Sequence, residues 1–302
     1  MSQSEQQFRA GYVAIVGEPN VGKSTLLNAL LKQKISIVAK KPQTTRQRVL
    51  GIYSTEEAQI IFLDTPGLLR PKYLLHERMM RSAEMALEDA DIVLVMTEIS
   101  RGVELPEAVE NIVLQKFNSK RLFLLLNKVD TVDRKEALPL MAKFAARNVF
   151  QEIFPISALK QENLDDLLAT IVKNIPVHEP FYPTDIVSEH PERFFVAEFI
   201  REKIFELFRD EIPYSTAIDI QEFKEREEGK TFISADIIVE RDSQKGILIG
   251  KKGEALKNIG QRARREIEEF LQRPVFLELH VKVGEQWREN ESWLKRLGYT
   301  EN

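Results

Sequence analysis

The first segment that could perform chemistry runs from Gly17 to Ser24 and reads Gly-Glu-Pro-Asn-Val-Gly-Lys-Ser. It matches the phosphate-binding pattern G-x-x-x-x-G-K-[ST] and lies between a predicted strand and a predicted helix, as that pattern requires. Its backbone N–H groups and the helix amino terminus would attract phosphate. Lys23 would reach the β- and γ-phosphates, and Ser24 would bind Mg²⁺. A glycine-rich turn without a ligand is the alternative. The residues assigned to the phosphates are Gly17, Glu18, Pro19, Asn20, Val21, Gly22, Lys23, Ser24 and Thr25.

A second segment, Asp64-Thr65-Pro66-Gly67, ends an apolar predicted strand. There Asp64 can hold Mg²⁺ through water, and the N–H of Gly67 can meet the γ-phosphate. Thr44 and Thr45 lie in a polar loop after the first helix. One of them should join the metal when the γ-phosphate is present, and we favour Thr45, although ordinary loop threonines are the alternative. The predicted metal ligands are Ser24, Thr45 and Asp64.

Two later segments could select the base. Asn127-Lys128-Val129-Asp130 follows another apolar strand, and Asp130 can accept hydrogen bonds from guanine N1–H and N2–H₂. Adenine has no donors there, so ATP would leave the carboxylate unpaired. Lys128 can lie over the base, and Ser157-Ala158-Leu159 can offer a backbone N–H to guanine O6. Solvated surface charge is the alternative for the first segment taken alone.

The position after Gly67 is Leu68, where many small GTPases have a glutamine that orients the attacking water. Leucine cannot hydrogen-bond water, so we expect slow intrinsic hydrolysis of GTP. Asn20 is a candidate for holding a K⁺ ion beside the phosphates, and capping of the loop backbone is its alternative role. The residues assigned to catalysis are Lys23, Thr45, Gly67 and Asn20.

The elements that must position these segments alternate between strand and helix up to about residue 176. The predicted strands cover 12–16, 59–63, 92–96, 121–126 and 153–156, and the predicted helices cover 23–33, 74–88, 107–116, 135–147 and 164–174. Apolar strands with intervening helices indicate an α/β domain with a mostly parallel sheet. Four prolines between 176 and 191 indicate a linker. The predicted domains are a P-loop GTPase domain at 1–176, a linker at 177–193 and a second domain at 194–302.

The composition further limits the class of protein to which this chain can belong. The chain has 302 residues, is 43% hydrophobic and 30% charged, and contains no cysteine. This length favours two domains, and the missing cysteines exclude a disulfide scaffold and a cysteine-based zinc site. The absence of cysteine fits a reducing cytoplasm. The longest apolar runs are too short to span a bilayer, and the first ten residues lack an apolar signal core. The net charge of −4 requires any nucleic-acid contact to be local.

The second domain has a predicted α-β-β-α-α-β order, which is α+β. Within it, Gly250-Lys251-Lys252-Gly253 lies between an apolar helical turn and an amphipathic helix. This is the helix-loop-helix of a KH domain, whose G-x-x-G backbone clamps about four nucleotides. Residues 241–265 carry eight basic and two acidic side chains, whereas residues 181–302 have a net charge of −5. A local basic strip suits single-stranded RNA in one groove, and a solvated helix face is the alternative. The predicted RNA-binding residues are Gly250, Lys251, Lys252, Gly253, Lys245, Lys257, Arg262 and Arg265.

Taken together, the motifs GEPNVGKSTLLNALL, KPQTTR, FLDTPGL, NKVD and SAL, followed by PYSTAIDI, VERDSQKGILIGKKGEALKNIG and LELHVKV, closely resemble the Era family of bacterial GTPases. The resemblance covers nearly the whole chain. It implies a type II KH domain, GTP, GDP and Mg²⁺ as ligands, and binding to 16S ribosomal RNA near its 3′ end. It further implies a role in maturation of the 30S subunit and a cytoplasmic location with partial peripheral association with the inner membrane. We also expect a monomer.

The residues also leave two other functional classes of protein open. A metabolic P-loop enzyme such as a small-molecule kinase would use ATP and need a second substrate pocket, and Asn127-Lys128-Val129-Asp130 argues against it. A passive RNA-binding assembly factor would keep its nucleotide as a structural group. The leading hypothesis is a switch in which GTP orders the loops 44–48 and 64–70 and thereby changes the placement of the RNA-binding domain.

Overall fold

The computed structural model describes residues 7–39, 41–226 and 229–300, which form two compact units. The first unit contains the chain up to Ser36, Thr45–Arg70 and Met79–Glu189. The second contains Ile37–Thr44, Pro71–Arg78 and the chain from His190 onward. Two short stretches of the amino-terminal half thus pack with the carboxyl-terminal half.

Part of the predicted linker pairs with the first unit. The N–H of Ile52 donates to the carbonyl of Val187 at 2.7 Å, and the N–H of Phe181 donates to Oε1 of Gln59 at 2.7 Å. These bonds hold the chain after residue 176 along the edge strand and its neighbour. The domain limits drawn from the sequence stay predictions.

The first unit contains a six-stranded sheet in the order β2-β3-β1-β4-β5-β6. Its strands are β1 (Arg9–Gly17), β2 (Val49–Ser54), β3 (Ala58–Asp64), β4 (Ile92–Glu98), β5 (Arg121–Asn127) and β6 (Glu152–Pro155). All neighbours are parallel except β2, which runs antiparallel to β3. The central strands are buried because helices cover both faces, which explains their continuous apolar sequence.

The edge strand β2 was not among the predicted strands. Its sequence, VLGIYS, has a glycine at its third position, which weakens the strand signal. A Cβ at Gly51 would lie 2.6 Å from Cδ1 of Leu31, so the glycine lets the first helix pack closely on the strand.

Helices lie between these strands and after β6. They are α1 (Lys23–Leu31), α2 (Leu74–Asp89), α3 (Glu107–Val109, continued by a π-helix over Glu110–Lys116), α4 (Arg134–Ala145) and α5 (Leu164–Asn174). The parallel topology brings the ends of β1, β3, β5 and β6 to one edge, where ligands of α/β sheets bind. The loops predicted to bind nucleotide follow these ends.

The second unit shows the predicted α-β-β-α-α-β order. Its elements are α6 (Glu192–Leu207), β7 (Ala217–Lys224), β8 (Thr231–Val239), α7 (Asp242–Ile249), α8 (Glu254–Leu271), β9 (Val275–Val283) and α9 (Glu291–Arg296). The sheet order is β7-β8-β9, with β7 antiparallel and β9 parallel to β8. The short helix α9 was not predicted, and residues 227–228, between β7 and β8 in the sequence, lie outside the described residues. In the described parts of the chain, no helix has the length and apolar character needed to cross a membrane.

Candidate functional site

The phosphate-binding loop lies between β1 and α1, as its motif predicts. Gly22 has a φ of 104°, and a Cβ there would lie 2.4 Å from Nδ2 of Asn127. The amide of Asn127 donates to the carbonyl of Val21 at 2.7 Å, so the loop is held against the end of β5. A side chain at Gly22 would break this contact, which joins the phosphate end of the site to its base end.

Lys23 is buried across the same loop. Its ammonium donates to the carbonyls of Gly17 at 3.2 Å and Glu18 at 2.8 Å. Burial lowers the pKa of Lys23 to about 8, and the nearby charges of Asp64 and Glu18 oppose that shift. Because burial disfavours the charged ammonium, an anion that enters the loop would stabilise that charged form strongly.

Asp64 lies at the end of β3 and is completely buried. Its Oδ2 accepts hydrogen bonds from the hydroxyls of Ser24 at 2.7 Å and Ser36 at 2.8 Å, and Oγ1 of Thr45 lies 2.9 Å from Oγ of Ser24. Burial raises the pKa of Asp64, while Lys23 and the hydroxyls lower it.

These oxygens fit Mg²⁺, which prefers hard oxygen ligands and retains several waters. Oδ1 of Asp64 is buried and has no hydrogen-bond partner among the described residues, so a metal-bound water would satisfy it. Of the two candidate threonines, Thr45 lies beside Ser24, whereas the hydroxyl of Thr44 donates to the carbonyl of Lys41 at 2.8 Å. Ser36 was not predicted from the sequence.

Gly67 packs directly on the phosphate-binding loop. A Cβ at this position would lie 2.6 Å from the backbone nitrogen of Pro19. The next N–H, of Leu68, donates to the carbonyl of Gly17 at 3.0 Å, and the Leu68 side chain is buried. The loop after β3 therefore reaches the phosphate end through its backbone. Asn20, the candidate for K⁺, is exposed at the rim with a φ of 67°.

The base end is formed by the loops after β5 and β6. The hydroxyl of Ser157 donates to Oδ1 of Asp130 at 2.6 Å, which orients an exposed carboxylate. The N–H of Ala158 donates to Oδ1 of Asn127 at 3.0 Å. Lys128 pairs with Glu98 at the end of β4. Glu98 was not predicted, because nothing in its local sequence marks it as a neighbour of Lys128.

The second unit presents a cleft of about 400 Å³ along α8 and β9. Its lining residues are Gly253, Leu256, Lys257, Gly260, Gln261, Arg264, Leu277 and Leu279. The leucines of α8 and β9 could contact an unstacked base, and the glycines leave room for it. The two cations, Lys257 and Arg264, could bind its phosphate. Lys251 and Lys252 are exposed in the adjoining loop.

The structure does not bring all predicted RNA-binding side chains to this cleft. Arg262 and Arg265 lie on another side of α8, beside Glu266 and Glu269. Arg264 lines the cleft instead, seven residues after Lys257, and the 3.6-residue helical period could have selected it. On α7, Ile247 is 49% exposed, whereas its neighbour Leu248 is buried.

Comparisons with known proteins agree with this two-part architecture. A family model described as "50S ribosome-binding GTPase" matches residues 12–128, and one described as "KH domain" matches residues 211–288. The GTPase Era of Geotalea daltonii is 46% identical over 298 residues, which are 98% of this chain and 99% of that protein. The GTPase Era of Lacticaseibacillus paracasei is 46% identical over 294 residues, covering 97% of each chain.

Two solved structures are also similar over almost the full length. A crystal structure of a variant of Aquifex aeolicus Era bound to GDP and AlF₄⁻ has a TM-score of 0.93 and 45% identity, covering 97% of this chain and 100% of the other. A crystal structure of Era in complex with MgGDPNP and nucleotides 1506–1542 of 16S ribosomal RNA has a TM-score of 0.93 and 44% identity, covering 97% and 99%.

Proposed function

Because this chain belongs to the Era family of GTPases, we propose that it is a GTP-hydrolysing switch that binds the 3′ region of 16S ribosomal RNA and assists maturation of the 30S subunit. One observation carries the proposal: strand ends that carry the four predicted nucleotide segments and a cleft beside the G-x-x-G loop occur in the same chain. The two sites allow nucleotide state to regulate RNA binding.

The nucleotide would lie along the ends of β1, β3, β5 and β6. Lys23 and the loop N–H groups would hold the phosphates, and Asp130 would pair with guanine. The N–H of Ala158 already donates to Oδ1 of Asn127, and the N–H of Lys160 donates to the hydroxyl of Ser157. We therefore assign the donor to guanine O6 to the N–H of Leu159. When bound, Mg²⁺ would neutralise phosphate charge, with Ser24, Thr45 and Asp64 holding it. Displacement of a fluorescent GDP by GTP but not ATP tests this assignment.

Intrinsic hydrolysis should be slow, because Leu68 is buried and cannot orient water. We assign the missing positive charge to a K⁺ ion held by the side-chain oxygen of Asn20, at the exposed rim of the loop. Single-turnover hydrolysis in K⁺ and Na⁺ tests this assignment. An equal rate in both salts would remove K⁺ from the proposal.

The RNA would lie in the cleft of the second unit, with phosphates against Gly250-Lys251-Lys252-Gly253 and bases toward Leu256 and Leu277. Gly253 has open space at its Cβ position, as close approach of a phosphate requires. Binding of oligonucleotides from the 16S 3′ region, compared with scrambled oligonucleotides of equal length, tests the RNA assignment.

The coupling between the sites would use the loop that precedes Thr45. Within the second unit, the N–H of Val38 donates to Oε1 of Glu202 at 2.9 Å, and Arg201 donates to the carbonyl of Thr44 at 2.5 Å. Lys41 donates to two carbonyls at the end of α6. Any movement of Thr45 toward the γ-phosphate therefore pulls on a segment that is anchored to α6.

The competing classes make different predictions. A small-molecule kinase would bind ATP and transfer its phosphate, whereas a passive assembly factor would bind RNA equally in every nucleotide state. RNA affinity measured with GDP and with a non-hydrolysable GTP analogue separates the passive factor from the switch.

The proposal includes three further properties of the protein. We expect a monomer in solution, which sedimentation equilibrium tests. We expect co-migration with 30S particles on sucrose gradients, and weak binding to anionic vesicles that mimic the inner leaflet.

A further inference from the structure

A polar cluster beneath the metal site has no role in the assignments above. Its centre is the side chain of Asn28, which lies on α1 one helical turn after Ser24. Residues four apart share a face of a helix, so α1 presents the metal-binding hydroxyl and this amide on the same side.

The amide of Asn28 clamps the backbone of the following loop. Its Oδ1 accepts hydrogen bonds from the N–H groups of Ile35 at 3.0 Å and Ser36 at 2.9 Å. Its Nδ2 donates to the carbonyl of Ser36 at 2.7 Å. Both backbone polar groups of Ser36 are therefore fixed by one side chain of α1.

The clamped residue points its hydroxyl at the metal-site carboxylate. Ser36 is 2% exposed, and its Oγ donates to Oδ2 of Asp64 at 2.8 Å. Ser24 donates to the same oxygen at 2.7 Å. Two donors on Oδ2 fix the rotation of the carboxylate and leave Oδ1 buried without a partner among the described residues.

We propose that Ser36, held by Asn28, is a positioning residue for Mg²⁺, because it fixes the Asp64 carboxylate with Oδ1 available to the metal's water shell. This inference rests on the proposed guanine-nucleotide site. Partners that orient ligands around a metal typically change metal affinity by 10-fold to 100-fold when removed.

The test uses the full-length protein and the release rate of a fluorescent GDP over a range of buffered free Mg²⁺. Ser36→Ala should raise the Mg²⁺ concentration that half-maximally slows release by about tenfold. The release rate in excess EDTA should stay within about twofold of wild type, because the hydroxyl does not contact nucleotide. Ser54→Ala is the matched control. Ser54 lies at the end of β2 that is away from Asp64, and its hydroxyl accepts a hydrogen bond from the amide of Gln59.

Asn28→Ala provides a second, independent variant. It should shift the Mg²⁺ dependence in the same direction, and the double variant should be no worse than the stronger single variant, because both act through one hydrogen bond. Circular dichroism and unchanged release in EDTA verify that each variant is folded.

Three outcomes would overturn the inference. An unchanged Mg²⁺ midpoint in folded Ser36→Ala would remove the positioning role. A lower midpoint would show that Ser36 competes with the metal, and a faster release in EDTA alone would show a purely structural role. Failure of the wild-type protein to retain fluorescent GDP at any Mg²⁺ concentration would instead refute the proposed nucleotide site.

Discussion

The buried ammonium of Lys23 predicts that nucleotide binding takes up protons above neutral pH. Burial lowers the pKa of Lys23 to about 8 in the free protein. Phosphates beside the ammonium favour its charged form, so the pKa should rise well above that value in the complex. Binding then requires any neutral lysine to gain a proton.

The magnitude follows from the free-protein pKa. At about pH 7.5 roughly three quarters of free Lys23 is charged, and at about pH 8.5 roughly one quarter is. Proton uptake per bound GDP should therefore rise from about 0.2 to about 0.8, and GDP affinity should fall about threefold over that interval. The same lowered pKa makes the folded state more stable as pH rises from about 8 toward 10.5, because the charged form is the disfavoured one.

Isothermal titration calorimetry in two buffers with different ionisation enthalpies measures the uptake. EDTA should be present so that metal binding at Asp64 does not add its own proton exchange. Lys23→Arg is the control, since a guanidinium does not titrate in this range, and any binding it retains should proceed without uptake. Tight GDP binding by the wild type at pH 8.5 with uptake near zero would refute the reasoning.

Three other predictions test the remaining parts of the proposal. Asp130→Asn should weaken GTP binding at least tenfold, because about one charged hydrogen bond to guanine is lost. The same variant should bind xanthosine triphosphate better than the wild type does, as measured by competition. Gly253→Asp should abolish RNA binding in gel-shift assays with GTP affinity intact, and Gly246→Asp, which adds the same charge at another open position, should retain most of it. Lys41→Met should reduce the difference in RNA affinity between GDP and a GTP analogue, because it frees the loop from α6; an undiminished difference would contradict the coupling.

Much of the architecture could be predicted because the sheet is buried on both faces. The predicted strands of the first domain all fall on observed strands to within a few residues, and the helix Leu164–Asn174 was predicted with its observed limits. Parallel topology then places the nucleotide motifs at one edge without any knowledge of side-chain contacts. The comparisons confirm the predicted fold and family.

Contacts between distant residues could not be predicted from motif patterns. Ser36 reaches Asp64 from a loop whose backbone is held by Asn28, and neither polar side chain lies in the segments Gly17–Ser24, Asp64–Gly67, Asn127–Asp130 or Ser157–Leu159. Likewise, a count of basic residues cannot separate Arg264 from Arg262, because the face of α8 decides which one lines the cleft. Helical phase, not charge, was the missing information.

The second unit is assembled from three separate stretches of chain, and this limits modularity. A fragment ending at residue 176 would keep Ile37–Thr44 but lose the α6 groups that bind Val38 and Lys41. A fragment starting at 190 would lack the ring of Tyr73, over which the guanidinium of Arg288 lies at 4.7 Å. A cut at the linker would therefore remove packing partners from both fragments, so the two halves are not interchangeable at that point as independent modules.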